Sequence, residues 1–203
     1  ARILMQQPIV ISGAGILGCY ISCALSLQGI DSIVLEKKDD EVEDSVRTIT
    51  LNPFSKNLLD KIGIENDYSM INKMEVKDFD GTGKIVFKSS EIGMDHLAYV
   101  SDFATLLMAV RKKASEKILY KEEIIDIDNK GDLNEVTLSS GKVIKTNLII
   151  SSDGKNSKLA NKIPKSDKDY FQTALTFLAS AEKDMNMSAF QIFSDNGICA
   201  FMP

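Results

Sequence analysis

Apolar residues near the start of the chain form two short runs with a helical stretch between them. Ile9–Ile11 and Ile33–Leu35 are β-rich runs, and Gly29 stands between them as a helix stop. The apolar positions of the intervening stretch recur at helical spacing and are Leu17, Ile21, Ala24 and Leu25. The pattern predicts a strand, a helix and a second strand, which together make a βαβ unit.

The turn between the first run and the helix carries the sequence G-x-G-x-x-G. We expect Gly13 to permit the tight turn, Gly15 to let the backbone approach a pyrophosphate, and Gly18 to let helix and strand pack closely. Glu36 ends the second run, where a carboxylate accepts hydrogen bonds from a ribose diol. This context predicts a dinucleotide site for FAD or NAD. The acid disfavours the 2′-phosphate of NADP.

The next segment predicts a strand over Arg47–Leu51 and a helix after it. Asn52 is a plausible N-cap, and Pro53 occupies the first helical position. The guanidinium of Arg47 can pair with a diphosphate, but a surface arginine fits the pattern equally well. The residues alone leave both readings open.

The middle of the chain departs from the βαβ rhythm. Residues 74–87 alternate as a hairpin around Asp80-Gly81, and Ser101 or Asp102 is expected to cap the helix that follows. Ile118–Lys145 predicts a small antiparallel meander.

A buried strand is expected at Leu148–Ile150, and it delivers Asp153 and Gly154 to the end of the sheet. Open α/β sheets place ligand contacts there, although a simple Asp-Gly turn is the reading that the local pattern favours. Three further β-runs then predict a second sheet, and they are Phe171–Ala179, Ala189–Phe193 and Ile198–Met202.

Composition is that of a globular protein without a nucleic-acid surface. The hydrophobic fraction is 44%, the net charge is −5, and no basic, aromatic-rich stripe is present. The three cysteines form no disulfide framework, so Cys19 and Cys23 are interpreted as packing residues in a reducing compartment. His96 is the only histidine, and no metal ligand or catalytic residue is assigned.

Taken together, these segments resemble the FAD-dependent aromatic hydroxylases of the p-hydroxybenzoate hydroxylase class, and most closely the ubiquinone-biosynthesis hydroxylases. The resemblance runs from Pro8 to Pro203 through PIVISGAGILG, RTITLNPFSKNLLDKIGI, MEVKDFDGTGKIVF and LIISSDGKNSKLA. It implies an α/β fold in which a Rossmann-like FAD-binding βαβ domain is interleaved with an antiparallel β substrate-domain sheet. The implied FAD-binding domain is discontinuous, over residues 1–73 and 99–163, and the implied substrate-domain segments are residues 74–98 and 168–203.

The resemblance also implies which residues contact FAD. They are Gly13, Ala14, Gly15, Ile16, Leu17, Gly18, Glu36, Lys37, Arg47, Asp153 and Gly154. The implied reaction is hydroxylation of an aromatic ring, a polyprenyl phenol in ubiquinone biosynthesis, with O2 and with NAD(P)H or another electron donor as transient reductant. We therefore expect a cytoplasmic protein at the inner face of the membrane, with peripheral membrane association and self-association as further expectations.

Three departures from the family pattern leave alternatives open. Ser101-Asp102 stands where the family often has Arg, Asn or Gln, and Ala160 stands where it often has Arg. The family's third flavin motif, a Gly-Asp, is expected beyond Pro203, so the chain is interpreted as a C-terminally truncated hydroxylase. The alternatives are another FAD- or NAD-binding oxidoreductase and an inactive flavin-binding remnant.

Overall fold

The computed structural model describes residues 7–43, 46–154, 157, 159, 166 and 168–203. The chain divides into two compact units. The first comprises Ala1–Glu43 and Leu107–Ala174, and the second comprises Asp44–Leu106 and Leu175–Pro203. Ala160, where the family pattern has an arginine, lies outside the described residues.

The first unit is built on a four-stranded parallel sheet with the order β12-β1-β2-β8. Its strands are β1 (Ile9–Ser12), β2 (Ser32–Glu36), β8 (Ile118–Tyr120) and β12 (Ile149–Ser151). Helix α1 (Ile16–Leu27) connects β1 to β2, as the apolar periodicity predicted. All four residues of β1 are buried, which is typical of a central strand in a parallel sheet.

A three-stranded antiparallel sheet completes the first unit, with the order β11-β10-β9. Its strands are β9 (Ile124–Asn129), β10 (Asn134–Leu138) and β11 (Val143–Thr146). Side chains of the two sheets share one core cluster, in which Val10 and Leu35 pack with Val136, Leu138 and Ile144. The parallel sheet is thereby covered on this side by β-structure.

The order of the parallel strands creates a switch point between β1 and β12. The chain passes from β1 to β2 and β8 on one side and then returns to place β12 on the other side. Ser12 lies opposite Ser151 in the register, so both strands end at the same edge. Open α/β sheets bind ligands in the crevice at such a point.

The second unit contains two sheets. The first has the order β14-β13-β5-β6, with β5 (Lys73–Asp78), β6 (Lys84–Lys88), β13 (Ser188–Ser194) and β14 (Gly197–Phe201). The second has the order β3-β7-β4, with β3 (Thr48–Leu51), β4 (Ser69–Ile71) and β7 (Ala98–Asp102). The hairpin predicted for residues 74–87 is confirmed as β5 and β6, whereas β13 pairs with β5 in parallel.

Two helices have the caps that the sequence indicated. Asn52 accepts a hydrogen bond from the Ser55 amide at 2.8 Å and caps α2 (Pro53–Lys61). Asp102, rather than Ser101, caps α3 (Phe103–Ala114), because its carboxylate accepts the Thr105 amide at 2.7 Å. Among the described residues, short 3₁₀ turns also lie at Ser89–Ile92 and Ser115–Lys117.

The α/β fold class is confirmed, but three local predictions are wrong. Ile118–Tyr120 is not part of the antiparallel meander, because it follows the α3 crossover and extends the parallel sheet beside β2. Leu148–Ile150 is only partly buried, with Leu148 44% exposed, because β12 is an edge strand.

The third wrong prediction concerns Phe171–Ala179. This alternating stretch forms no strand and is exposed throughout, with Phe171 91% exposed and Leu175 86% exposed. Alternation predicts a strand only where a neighbouring strand supplies hydrogen bonds, and within the described residues this stretch has no such neighbour.

Candidate nucleotide-binding site

The glycine turn begins directly after β1 and is held against β2. The Gly13 amide donates to the Leu35 carbonyl at 2.8 Å, and Gly13 adopts a φ of +100°, which disfavours any side chain. A Cβ at this position would lie only 2.8 Å from the carbonyl oxygen of Ser152. The turn therefore requires glycine here for both its conformation and its contact with the end of β12.

The side chain of Ser152 packs between the start of the glycine turn, at Ser12 and Gly13, and Gly18 of α1. Its hydroxyl donates to the carbonyl oxygens of Ser12 at 2.8 Å and Gly13 at 3.0 Å. A Cβ at Gly18 would lie 2.6 Å from the Ser152 hydroxyl and would overlap the Gly13 carbonyl. Gly18 thus permits close packing of α1 on the turn and on Ser152 together.

The N-terminus of α1 faces open space. Gly15 is the N-cap, no side chain of the described residues accepts a hydrogen bond there, and a Cβ on Gly15 would meet nothing within 4 Å. The first-turn amides include those of Ile16 and Leu17, and such amides have no intrahelical acceptor. Together with the positive end of the helix dipole, they form an arrangement suited to a phosphate.

Glu36, at the end of β2, turns its carboxylate toward the glycine turn. Its Oε2 accepts the Ala14 amide at 3.1 Å and its Oε1 accepts the Lys38 amide at 3.0 Å. The side chain is 12% exposed, so the carboxylate lies at the inner border of the site. Ala14 is fully buried, whereas Lys37 is exposed.

Arg111 on α3 is a site residue that the sequence analysis missed. Its Nε donates to the Ala14 carbonyl at 2.9 Å, and its Nη2 lies 3.4 Å from Glu36 Oε2. The residue is 8% exposed, and its Nη1 is buried without a hydrogen-bond partner among the described atoms. In the sequence it opens a basic run at a helix end, which is an ordinary surface pattern.

Asp153 and Gly154 follow β12 at the edge where the glycine turn lies. Asp153 Oδ2 accepts the Ser157 hydroxyl at 3.0 Å, and that hydroxyl also lies 2.7 Å from the Ser151 hydroxyl. Gly154 has a φ of +75°. The structure therefore brings the Asp-Gly pair to the same sheet edge as Gly13, which the sequence order alone did not require.

Arg47 belongs to the second unit. Its guanidinium carbon lies 4.0 Å from the centroid of the Phe103 ring, and its carbonyl accepts the Phe103 amide at 3.0 Å. This stacking holds the start of β3 to the start of α3. The role of Arg47 toward a flavin stays a prediction.

The buried cysteines of α1 behave as packing residues. Burial raises the pKa of the Cys19 thiol to about 12, so the thiol is neutral at physiological pH. Burial also raises the pKa of Cys23. In the described ranges, no group of three or more His, Cys, Asp or Glu side chains could hold a metal ion.

The geometry fits the adenosine diphosphate part of a dinucleotide. The first unit has open space at the N-terminus of α1 and around the Cβ position of Gly15, and it has the carboxylate of Glu36 at the end of β2.

No helix within the described ranges is both long and apolar enough to cross a membrane.

Comparison with known proteins gives this site a family context. The family model described as FAD binding domain matches residues 6–196 of the chain. The ubiquinone biosynthesis monooxygenase COQ6, mitochondrial, of Danio rerio is 27% identical, and the match covers 96% of this chain and 46% of that protein. The 3-demethoxyubiquinol 3-hydroxylase of Escherichia coli (strain K12) is 26% identical, with 98% and 56% covered.

A solved structure shares the fold over nearly the whole chain. A variant of Klebsiella pneumoniae HpxO complexed with FAD superposes with a TM-score of 0.73 at 17% identity, covering 98% of this chain and 54% of that one. The chain spans about half the length of the curated relatives it matches. The resemblance deduced from the sequence is thereby confirmed.

Proposed function

Because this chain belongs to the FAD-binding domain family, we propose that its first unit holds the adenosine diphosphate part of FAD and that the whole protein is a flavin-dependent aromatic hydroxylase. The proposal rests on three features that lie together at one edge of the parallel sheet. The glycine turn after β1, Glu36 after β2 and Asp153 after β12 all lie at the carboxyl ends of parallel neighbours.

Each residue of the turn has a role in this proposal. Gly13 and Gly18 fix the shape of the turn, and Gly15 admits the diphosphate to the backbone. The amides of Ile16 and Leu17 donate to it at the positive end of α1. The amide of Ala14 connects the turn to Glu36, and its carbonyl connects the turn to Arg111.

The remaining predicted site residues are assigned by family resemblance. Glu36 accepts hydrogen bonds from the adenosine ribose, and Lys37 lies exposed beside it. Arg47 is assigned a contact with FAD, and Asp153 with Gly154 is assigned contacts with both FAD and a transient pyridine nucleotide.

The proposed reaction is hydroxylation: one oxygen atom of O2 is transferred to a C–H position of an electron-rich aromatic ring, the other leaves as water, and NAD(P)H or another donor supplies the two electrons. FAD, once reduced by NAD(P)H or another donor, supplies the oxygen chemistry when bound. The residues of this chain bind and orient the cofactor, and no general acid or base is assigned to them. The names of the curated relatives support a substrate in ubiquinone biosynthesis, which we propose is a polyprenyl phenol.

The proposed location follows from that substrate. A polyprenyl phenol partitions into lipid, so we propose a cytoplasmic protein that associates peripherally with the inner face of the membrane. Self-association is also proposed, because exposed apolar side chains such as Phe171 and Leu175 favour it. Gel filtration at several concentrations tests this, and a concentration-independent monomer would contradict it.

The experiment that tests FAD binding is a visible absorption titration of the purified chain. We expect a saturable, shifted flavin spectrum with FAD and weaker binding of FMN, which lacks the adenosine part. The variant Glu36→Gln should weaken FAD and leave FMN unchanged. Equal affinities of FAD and FMN would contradict the assignment of the glycine turn.

A second measurement separates the candidate activities. The flavin-loaded chain is supplied with a polyprenyl phenol, NAD(P)H and ¹⁸O₂, and one labelled oxygen in the product supports the hydroxylase. Flavin reduction without labelled product supports another oxidoreductase. Absence of bound flavin in a folded chain supports an inactive remnant.

A further inference from the structure

The buried guanidinium of Arg111 contacts both parts of the site that the adenosine diphosphate would use. One nitrogen, Nε, donates to the Ala14 carbonyl at 2.9 Å, and another, Nη2, lies 3.4 Å from Glu36 Oε2. The same Oε2 accepts the Ala14 amide at 3.1 Å. Ala14 is therefore held on both its amide and its carbonyl side.

The hold on the Ala14 carbonyl has a consequence for Gly15. The carbonyl of Ala14 and the amide of Gly15 belong to one trans peptide group, so they point in opposite directions. Since the carbonyl is directed at the buried Arg111, the Gly15 N–H must point away from it. Arg111 thereby sets the direction of an amide at the start of α1.

The hold on Glu36 fixes the carboxylate itself. Arg111 and the Ala14 amide both occupy Oε2, and the Lys38 amide occupies one position on Oε1. A carboxylate has about four acceptor positions, so about one position on Oε1 is left for a ribose hydroxyl. The guanidinium of Arg111 and the carboxylate of Glu36 also attract each other as opposite charges, with Nη2 3.4 Å from Oε2.

We propose that Arg111 is a positioning residue that sets the Gly15 amide and the Glu36 carboxylate for the adenosine diphosphate of FAD. The inference rests on the proposed function, since it assumes that the turn binds this ligand. Arg111 acts through Ala14 and Glu36, and its guanidinium carbon also lies 5.8 Å from the centroid of the Tyr120 ring. Its Nη1 has no hydrogen-bond partner among the described atoms, whereas Nε and Nη2 both contact the proposed site.

The test compares Arg111→Lys and Arg111→Met with Lys112→Met, a charge-removing control at the next, exposed position of the same helix. Lysine keeps the charge but cannot donate to Ala14 and Glu36 in the same fixed geometry. We expect both Arg111 variants to weaken FAD binding by about tenfold to a hundredfold, the effect of misaligning one charged hydrogen bond between FAD and the Gly15 amide or the Glu36 carboxylate. FMN binding should be unchanged in all three variants.

A double-mutant cycle distinguishes positioning from general stability. In the Glu36→Gln background, Arg111→Lys should weaken FAD binding less than it does in the wild type, because one of its two targets has lost its charge. An equal effect in both backgrounds, or a wild-type FAD affinity in Arg111→Lys, would overturn the proposal. If Arg111→Met does not fold, the lysine variant and the cycle still decide it.

An additional readout needs no flavin. In ¹⁵N-labelled protein without ligand, Arg111→Lys should shift the amide resonances of Ala14 and Gly15 and speed exchange of the Ala14 amide, whereas Lys112→Met should not. Unchanged amides would overturn the proposal even if the wild type binds FAD. Changed amides in a chain that binds no FAD would leave the positioning intact and contradict the proposed function instead.

Discussion

The hydroxyl of Ser152 lies 3.0 Å from the carbonyl oxygen of Gly13, and this contact ties the end of β12 to the turn after β1. The two residues are 139 positions apart in the sequence. The same hydroxyl fills the space that a side chain at Gly18 would occupy. Ser152 thus determines how closely the Asp-Gly segment approaches the glycine turn.

Removal of this hydroxyl should cost stability. We expect Ser152→Ala to lower the free energy of unfolding by about 1 kcal/mol, the usual net value of a protein hydrogen bond, and to weaken FAD binding as the turn relaxes. Urea unfolding measures the first effect and flavin titration the second. Ser26→Ala, on the exposed side of α1, is the control, and equal stability of the two variants would contradict the role of Ser152.

Gly18 should tolerate no side chain. We expect Gly18→Ala to lower the free energy of unfolding by about 2 kcal/mol, because the new methyl group overlaps the Gly13 carbonyl and meets the Ser152 hydroxyl. Thermal and urea unfolding both test this. Wild-type stability would show that α1 can move away from the turn at no cost.

Gly15 should behave in the opposite way. Its φ of −74° suits any residue and its Cβ position is open, so Gly15→Ala should change the free energy of unfolding by less than about 1 kcal/mol, because the smaller entropy of the unfolded chain offsets the poorer N-cap preference of alanine. The same methyl group stands where we propose that the diphosphate approaches, and we expect FAD binding to weaken by about tenfold or more, which needs only ~1.4 kcal/mol of interference. A fully stable variant with unchanged FAD affinity would place the diphosphate elsewhere.

Glu75 on β5 makes the second unit sensitive to acid. Its side chain, 6% exposed, lies 2.7 Å from Lys77 Nζ and 3.1 Å from both Lys73 Nζ and Lys84 Nζ. Hydrogen bonds from these three lysines lower the pKa of Glu75 from 4.5 to about 2. Because the pKa is lower in the folded state, its stabilisation is complete above pH 4.5 and is lost as the pH falls toward 2.

The variant Glu75→Gln tests that dependence. It should be less stable than the wild type at pH 7, since three lysines lose their shared carboxylate. The difference should shrink as the pH falls through the range between the two pKa values. Glu91→Gln removes a more exposed carboxylate from an ion pair with Lys88 and serves as the control. A difference that is independent of pH would contradict the assignment.

The sequence predicted the elements whose information is local. The βαβ unit, the hairpin of β5 and β6 and the Asn52 cap follow from periodicity, glycine turns and short-range hydrogen bonds, all within a few residues. The position of the glycine turn and Glu36 at one sheet edge was predictable for the same reason, because a single βαβ unit brings them together. The prediction for Phe171–Ala179 failed because strand pairing depends on a distant partner.

What the sequence determined by itself is the chemistry of the nucleotide turn and the class of the fold, since these need only residue types at short spacing. The tertiary structure alone decided that β12 lies beside β1 and that the Ser152 hydroxyl occupies the space a side chain at Gly18 would need. It also decided that Arg111 contacts Glu36, which is 75 residues away in the sequence. Those relationships depend on sheet order and on the packing of α3, which join residues with no shared local pattern. The contacts that support the site are therefore long-range, while the groups proposed to bind the nucleotide are local.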